Sequence, residues 1–303
     1  MTDQKFQIQP FAAGEIVPGL QVLDAVSKGT VEIGHTASYY YVGKDPTFAF
    51  GTQLPFYFNS RQNEAWMMQG GGLKLLNEFY KKYNIHKMVM GTTGTQMGGF
   101  FRKEINKPED LKGLKFRIGG LAGNVLAKLG VIAQQIAGGD IYPSLEKGTI
   151  DAAEWVGPYD DEKQGFHKVA PFYYYPGWWE GGPMISLMIN LQKWESLPKS
   201  YKAVITAAAA YADNEIINKY DDRNPASLKR LIQGGTKLRV FPAEVIDACY
   251  KAATDMYDET SKSNPEFKKI YDAVKPYWAD QSLWWQVAEY SMDSYNIRIR
   301  QKV

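Results

Sequence analysis

Short apolar runs alternate with longer segments at helical spacing along most of this chain, and that alternation limits its fold more than any other feature. Residues 31–33, 87–91, 98–102, 114–118, 149–156, 184–190 and 237–241 read as strands, and residues 6–9 alternate like one more. Helical patterns fill intervals at residues 20–27, 63–83, 108–113, 140–147 and 158–167. Strands that alternate with helices predict an α/β fold with mainly parallel sheets. A chain of 303 residues predicts two domains rather than one. Glycines 70–72 fall inside the 63–83 pattern and predict a kink there. After Pro198 a helix is predicted through Tyr220 and on toward Leu231, long enough to span two domains.

Composition removes several function classes. Lys and Arg total 35 against 33 Asp and Glu, a net charge of +2 with no basic stripe, which argues against nucleic acid and anionic membranes as partners. The single cysteine, Cys249, excludes an internal disulfide and a cysteine zinc site, and its apolar helical surroundings predict a buried thiol. The small apolar run at 204–212 is bracketed by Lys202 and Asp213, so it reads as a packed helix and not a membrane span. The opening MTDQKFQIQ has no apolar core of a signal peptide, so the chain reads as cytoplasmic or as an incomplete precursor. Aromatic residues make up 14% of the chain, enough to suggest ring-lined surfaces beyond an ordinary core.

Arg117 is the most informative single residue. It closes the apolar run of GLKFRIGG, and Gly119, Gly120 and Gly123 follow at the start of a helical pattern. A guanidinium at the carboxyl end of a strand can fork onto a carboxylate, and the helix N-terminus beyond adds partial positive charge. The segment therefore reads as a small-anion site, or as an arginine paired with a structural carboxylate at a sheet edge. Glu154 with Asp160 and Asp161 reads as an acid/base pair, or as a strand-end carboxylate followed by solvated helix charges. The segments DAAEWVGP and YYYPGWWEGG place indoles and carboxylates in Gly/Pro-bounded turns. Each suits a packed aromatic corner or a ligand box whose oxygens hold a hard cation. The three histidines, 35, 86 and 167, are scattered, and no G-x-S-x-G elbow exists, so zinc-hydrolase and serine-hydrolase readings lack parts. The glycines at 29 and 34 and at 119, 120 and 123 lack the full phosphate-loop and dinucleotide fingerprints.

Taken in order, PFAAGEIVPGLQVLDAVSKGTVEIGHTASYYYVGKDP, TGTQMGGFFRKEI, LKGLKFRIGGLAGNVLAKLG and DIYPSLEKGTIDAAEWVGPYDD resemble the extracytoplasmic solute-binding proteins of TRAP (tripartite ATP-independent periplasmic) transporters. FYYYPGWWEGGP resembles the branch that binds 2-oxo acids or lactate with a metal ion. The resemblance implies a two-domain periplasmic-binding-protein-like fold with a cleft, hinge strands and a long spanning helix. Domain I would be residues 1–94 with 183–222, and domain II residues 95–182 with 223–303.

The resemblance also assigns residues. Arg117 falls at the carboxylate clamp. Gln96, Glu154, Trp155 (through its carbonyl) and Glu180 match the shell of a sodium or calcium ion that bridges ligand and protein, and Tyr41, Tyr159 and Trp178 match cleft walls. It implies a periplasmic receptor for a small 2-oxo or 2-hydroxy monocarboxylate, a membrane permease as partner, and a homodimer surface near residues 277–290. The alternatives are a TRAP receptor for another organic acid or a sugar alcohol, and a carboxylate-dependent lyase or glycosidase using Glu154 and Asp160. Family members begin with a further strand and helix upstream of residues 6–10, after a signal peptide. Their absence from this sequence predicts an exposed sheet edge and an incomplete pocket wall.

Overall fold

The computed structural model describes residues 2 and 4–300. The first elements are α1 (Val22–Lys28), β1 (Ile33–Thr36), α2 (Ser60–Met68), α3 (Gly72–Tyr80), β2 (Ile85–Thr92) and β3 (Gly99–Phe101). Next come β4 (Lys115–Arg117), α4 (Gly120–Lys128), β5 (Ile132–Gln134), α5 (Gly138–Glu146), β6 (Ala152–Ala153), α6 (Pro158–Gln164) and β7 (Phe172–Tyr175). The chain ends with β8 (Met184–Asn190), α7 (Leu191–Ser196), α8 (Lys199–Gln233), β9 (Lys237–Val240), α9 (Ala243–Ser263), α10 (Pro265–Trp285) and α11 (Ser291–Arg300).

The strands form a three-stranded sheet, β1-β8-β2, and a six-stranded sheet, β5-β4-β6-β3-β7-β9. The expected parallel character is only partly present. In the second sheet β4 pairs parallel with β5 and β6, and β7 with β9, while β3 runs antiparallel to β6 and β7. In the first sheet both pairings are antiparallel. Helical crossovers do make β1 and β2 parallel to each other, as the alternation requires, but β8 returns from the other sheet and inserts between them. The same insertion, by β3, breaks the parallel run of the second sheet. Three segments therefore carry the chain between sheets: β2 to β3, β7 to β8 and, through α7 and α8, β8 to β9.

Local departures have local causes. Residues 6–9 form no strand; Phe6 instead packs on Tyr201 with ring centroids 4.9 Å apart. The kink expected at glycines 70–72 is a complete break between α2 and α3. Gly71 there adopts φ +86, and a Cβ on Gly72 would lie 2.4 Å from the Trp66 indole nitrogen. The strand expected over 149–156 pairs only at Ala152–Ala153. The strands β5 and β7 were not anticipated, and β7 lies in a tyrosine run read as loop because Pro and Gly follow it. The long helix is present as α8, 35 residues and about 50 Å, with Pro225 inside it. It packs on β2 and on α6, one element from the neighbourhood of each sheet. α10 packs against α2 and α3, and α9 against α4. Cys249 is fully buried, which pushes its thiol up to about 12.

One buried charge sits away from every cleft segment. The Lys87 ammonium on β2 is fully buried and has no hydrogen-bond partner, with Glu64 and Asp213 as the nearby opposite charges. Burial lowers its pKa from 10.5 to about 8, and Glu64 and Asp213 oppose that shift. The unfolded chain then binds more protons than the folded one between those values, so stability rises with pH across that window. The rise attributable to Lys87 is at most about 3 kcal/mol. Denaturant melts at a series of pH values should show it in the parent and not in Lys87→Met; equal pH slopes would contradict it.

Candidate functional site

The topology brings four loops to one edge of the larger sheet. β4 and β6 run parallel, so Arg117 at the end of β4 lies beside Glu154, which follows β6. β3 runs against them, so the segment before it, with Gln96, returns to the same edge. β7 runs against β3, so the segment after it delivers Glu180 there as well. Gln96 and Glu180 thus lie on the two short stretches that connect the sheets, the third connection running through α8. These are zipped together by Gln96 N–H to Glu180 O at 3.0 Å and Gly177 N–H to Gln96 O at 3.2 Å. The one-turn helix Ser38–Tyr41, after β1, adds Tyr39 and Tyr40 from the other side.

At the centre Arg117 is only 1% exposed. Its Nη1 donates to the Glu154 main-chain oxygen at 2.6 Å and pairs with Glu154 Oε1; its Nε donates to the Ile136 oxygen at 3.1 Å. The Gly119 N–H, at the mouth of α4, donates to Glu154 Oε1 at 3.1 Å. The Trp155 ring lies 5.0 Å from the guanidinium carbon. Arg117 Nη2, Glu154 Oε2 and Glu180 Oε1 are buried without any partner. A native interior leaves few such atoms, and each costs about 1–3 kcal/mol or more when charged.

Gln96 shows what those oxygens want. Its amide oxygen points at Glu180 Oε2, 2.5 Å away, and at the Trp155 carbonyl, 3.0 Å away. Its amide nitrogen faces Thr93 Oγ1 at 3.1 Å. Turning the amide over would give hydrogen bonds to both oxygens, which is the better arrangement when nothing else is present. With a hard cation among them the oxygen-inward orientation is the favourable one. Gln96 Oε1, the Trp155 carbonyl and the two glutamates then form an oxygen-only donor set. Among the described residues no three His, Cys, Asp or Glu side chains gather into a metal cluster, so an ion here relies on neutral donors as well.

Burial dominates the electrostatics. Glu180 is held well above the ordinary carboxylate range by desolvation and then by Glu154, with the Tyr39 hydroxyl and Arg117 pulling the other way. Desolvation also raises Glu154, against Arg117 and the Gly119 N–H. Burial raises Tyr39 and Tyr40, and the Tyr40 hydroxyl faces the guanidinium. Both phenols stay protonated and can donate.

Of the residues expected at the site, Arg117, Gln96, Glu154, Trp155 and Glu180 are brought together here. Tyr41, Tyr159 and Trp178, expected as cleft walls, make their side-chain contacts with residues outside this cluster. The Tyr41 hydroxyl bonds the Leu23 N–H at 3.1 Å and Thr36 Oγ1 at 3.0 Å, with its ring edge-on to Phe48. Tyr159 lies under Lys163 on the surface of α6, its hydroxyl held by Arg223. Trp178 stacks on Phe56 at 4.6 Å. Tyr39 and Tyr40 take the place expected of Tyr41: their rings stack on each other at 5.0 Å on the site side of the 3₁₀ turn, while Tyr41 turns toward Phe48. Gly120, with φ +63, is what admits Tyr39: a Cβ there would lie 2.2 Å from the ring.

The sequence pattern of the DctP family, bacterial extracellular solute-binding protein family 7, matches residues 1–264. A monocarboxylate 2-oxoacid-binding periplasmic protein of Nostoc sp. is 49% identical over 97% of this chain and 81% of its own length. A TRAP transporter solute-binding protein of Bordetella bronchiseptica, crystallised as a mixed-occupancy dimer with copurified calcium and picolinate, superposes with a TM-score of 0.98. It is 52% identical over 99% of this chain and 90% of that one. A TRAP periplasmic solute-binding protein of Pseudoalteromonas atlantica, with bound sodium and pyruvate, has a TM-score of 0.88. It is 40% identical over 91% of this chain and 84% of that one.

A buried carboxylate with a partnerless oxygen destabilises the cation-free protein. Glu180→Gln should therefore raise the unfolding free energy measured in chelator by about 1–3 kcal/mol. The same variant should lose the stabilisation that calcium gives the parent. A variant less stable than the parent in chelator would contradict this account of the site.

Proposed function

The chain belongs to the DctP family of bacterial extracellular solute-binding proteins, and on that footing we propose that it captures a small 2-oxo or 2-hydroxy monocarboxylate together with a sodium or calcium ion. Membership makes it a TRAP transport receptor and not an enzyme, which removes the lyase and glycosidase alternatives. The carrying observation is the set of partnerless buried atoms of both signs: one guanidinium nitrogen of Arg117 and one carboxylate oxygen each of Glu154 and Glu180, three residues near enough to act on one another's charge. An anion alone would satisfy Arg117 and be repelled by Glu154 and Glu180; a cation alone would leave Arg117 unpaired. A carboxylate with an oxygen on the adjacent carbon answers both, since one end forks onto Arg117 while the α-oxygen shares a cation with the glutamates. A bound cation supplies the positive charge that lets two carboxylates and an anionic ligand occupy one buried space.

In this reading Arg117 Nη2 and the Tyr40 hydroxyl take the ligand carboxylate, and Tyr39 steadies Glu180. Gln96, the Trp155 carbonyl, Glu154 and Glu180 hold the ion. Residues 1–94 with 183–222, and 95–182 with 223–303, are the two domains that close over it, with α8 as their common brace. Relatives that bind 2-oxo acids, or pyruvate with sodium, support the ligand class. The family works outside the cytoplasm, and we place this chain in the periplasm, delivering to a TRAP permease. Among the described residues no helix is long and apolar enough to cross a membrane.

A second copy of the chain is the further partner. Trp284 is 58% exposed, Val287 67% and Ile297 60%, an apolar stripe running from the end of α10 through the turn at residues 286–290 to α11 that no other element among the described residues covers. The dimeric crystal of the Bordetella relative supports this assignment.

A thermal-shift screen tests the ligand. Pyruvate and related 2-oxo acids should raise the melting point with sodium or calcium present, by the equivalent of about 2.7 kcal/mol at a hundredfold excess over Kd. Chelation should remove the shift, and Arg117→Ala should lose several kcal/mol of affinity. Stabilisation by a sugar alcohol or a larger acid, indifferent to cation, would assign the receptor to another ligand. Light scattering at micromolar concentration should give a dimer that Trp284→Glu with Val287→Glu converts to a monomer; a monomeric parent would contradict the stripe's role.

A further inference from the structure

We propose that Asp161 is a positioning residue that aims the Trp155 carbonyl into the cation site by holding the opposite face of the same peptide unit. The proposal rests on the cation reading above. Asp161 Oδ1 accepts the Val156 N–H at 3.2 Å, and Asp161 Oδ2 accepts the Tyr173 hydroxyl at 2.6 Å. The Trp155–Val156 peptide is trans, so its C=O and N–H point in opposite directions from one plane. Fixing the N–H toward Asp161 leaves the carbonyl one direction, toward the Gln96 amide 3.0 Å away. Without that anchor the peptide can rotate, and the site loses its one main-chain donor.

An ordinary helix cap does not explain this contact. Gly157 is the N-cap of α6, so a reach-back from the third helical residue, Asp160, would satisfy the usual capping geometry. Asp160 instead accepts the Tyr220 hydroxyl at 2.7 Å. Asp161, one residue further on, reaches one residue further back, past the cap to Val156. The position is also a costly one for a carboxylate. Asp161 is 1% exposed beside a cluster that includes Phe100, Phe166 and Tyr173, where an apolar side chain would pack without penalty. Tyr173 is itself immobilised, its ring stacked on Phe100 at 4.0 Å, so the carboxylate has a rigid support behind it. The carbonyl of the next peptide unit, Val156 O, takes the Met97 N–H at 3.0 Å, which ties the adjoining backbone to the segment that bears Gln96. Such support behind a ligand atom typically alters metal affinity about 10–100-fold.

The test is calcium affinity by calorimetry in the parent, Asp161→Ala and Asp161→Asn, alongside two resonances of the cation-free parent. Asp161→Ala should weaken calcium binding about 10–100-fold. Asp161→Asn, which keeps a carbonyl acceptor for Val156, should recover most of that loss. The Val156 amide should be protected from hydrogen exchange before any ion is added, and the Trp155 carbonyl carbon should shift when calcium is. A folded Asp161→Ala with parental affinity, an Asn variant as weak as Ala, or a freely exchanging Val156 amide would each overturn the proposal, and the last does so without any variant. If the parent itself bound no cation and the Trp155 carbon did not move, the cation reading would fail along with it.

Discussion

A buried arginine flanked by two buried glutamates is the constraint on which the rest of this structure depends. Arg117 and Glu154 compensate each other only in part, and Glu180 adds a second buried carboxyl whose charged form burial and Glu154 both disfavour. Moving such groups out of water costs several kcal/mol for each ion unless every lone pair and proton is met. The protein leaves a nitrogen and two oxygens unmet on three buried residues that act on one another's charge. An interior arranged that way is less stable empty than filled, which is the thermodynamic property a receptor needs: the ligand and its ion supply the missing partners.

The fold explains how five groups from four loops meet. The chain passes between the sheets three times, and the two short connections, β2 to β3 and β7 to β8, bear Gln96 and Glu180. The parallel pair β4 and β6 sets Arg117 and Glu154 side by side at their carboxyl ends, where open α/β sheets hold ligands. α8 lies across β2 and α6, the elements that lead into Gln96 and out of Trp155. A movement of one sheet against the other therefore changes the site directly.

Much of this was legible in the sequence, for identifiable reasons. From its strand end before Gly-Gly, Arg117 reads equally as an anion site or as the partner of a structural carboxylate, and Glu154 and Glu180 as ligand-box or packed-corner residues; their grouping with Gln96 in one pocket came from the resemblance to the TRAP receptors. The helices, including α8, followed from periodicity. Sheet direction did not, because a strand inserted from far along the chain leaves no local mark. Strand β7 was hidden in a tyrosine run, since aromatic residues suit loops and strands alike. Tyr41 was chosen over its neighbours because spacing cannot tell which ring of a 3₁₀ turn faces inward. Asp161 was weighed as a catalytic partner of Glu154, but its oxygens are committed to Val156 and Tyr173.

The central claim is that anion and cation are bound as one unit, and their thermodynamic linkage measures it most directly. Calorimetric titration of pyruvate across a series of calcium concentrations, and of calcium across a series of pyruvate concentrations, gives two coupling factors. The account predicts that each partner tightens the other's binding by the same factor, about tenfold or more. Pyruvate affinity that is the same in chelator and in saturating calcium would contradict it.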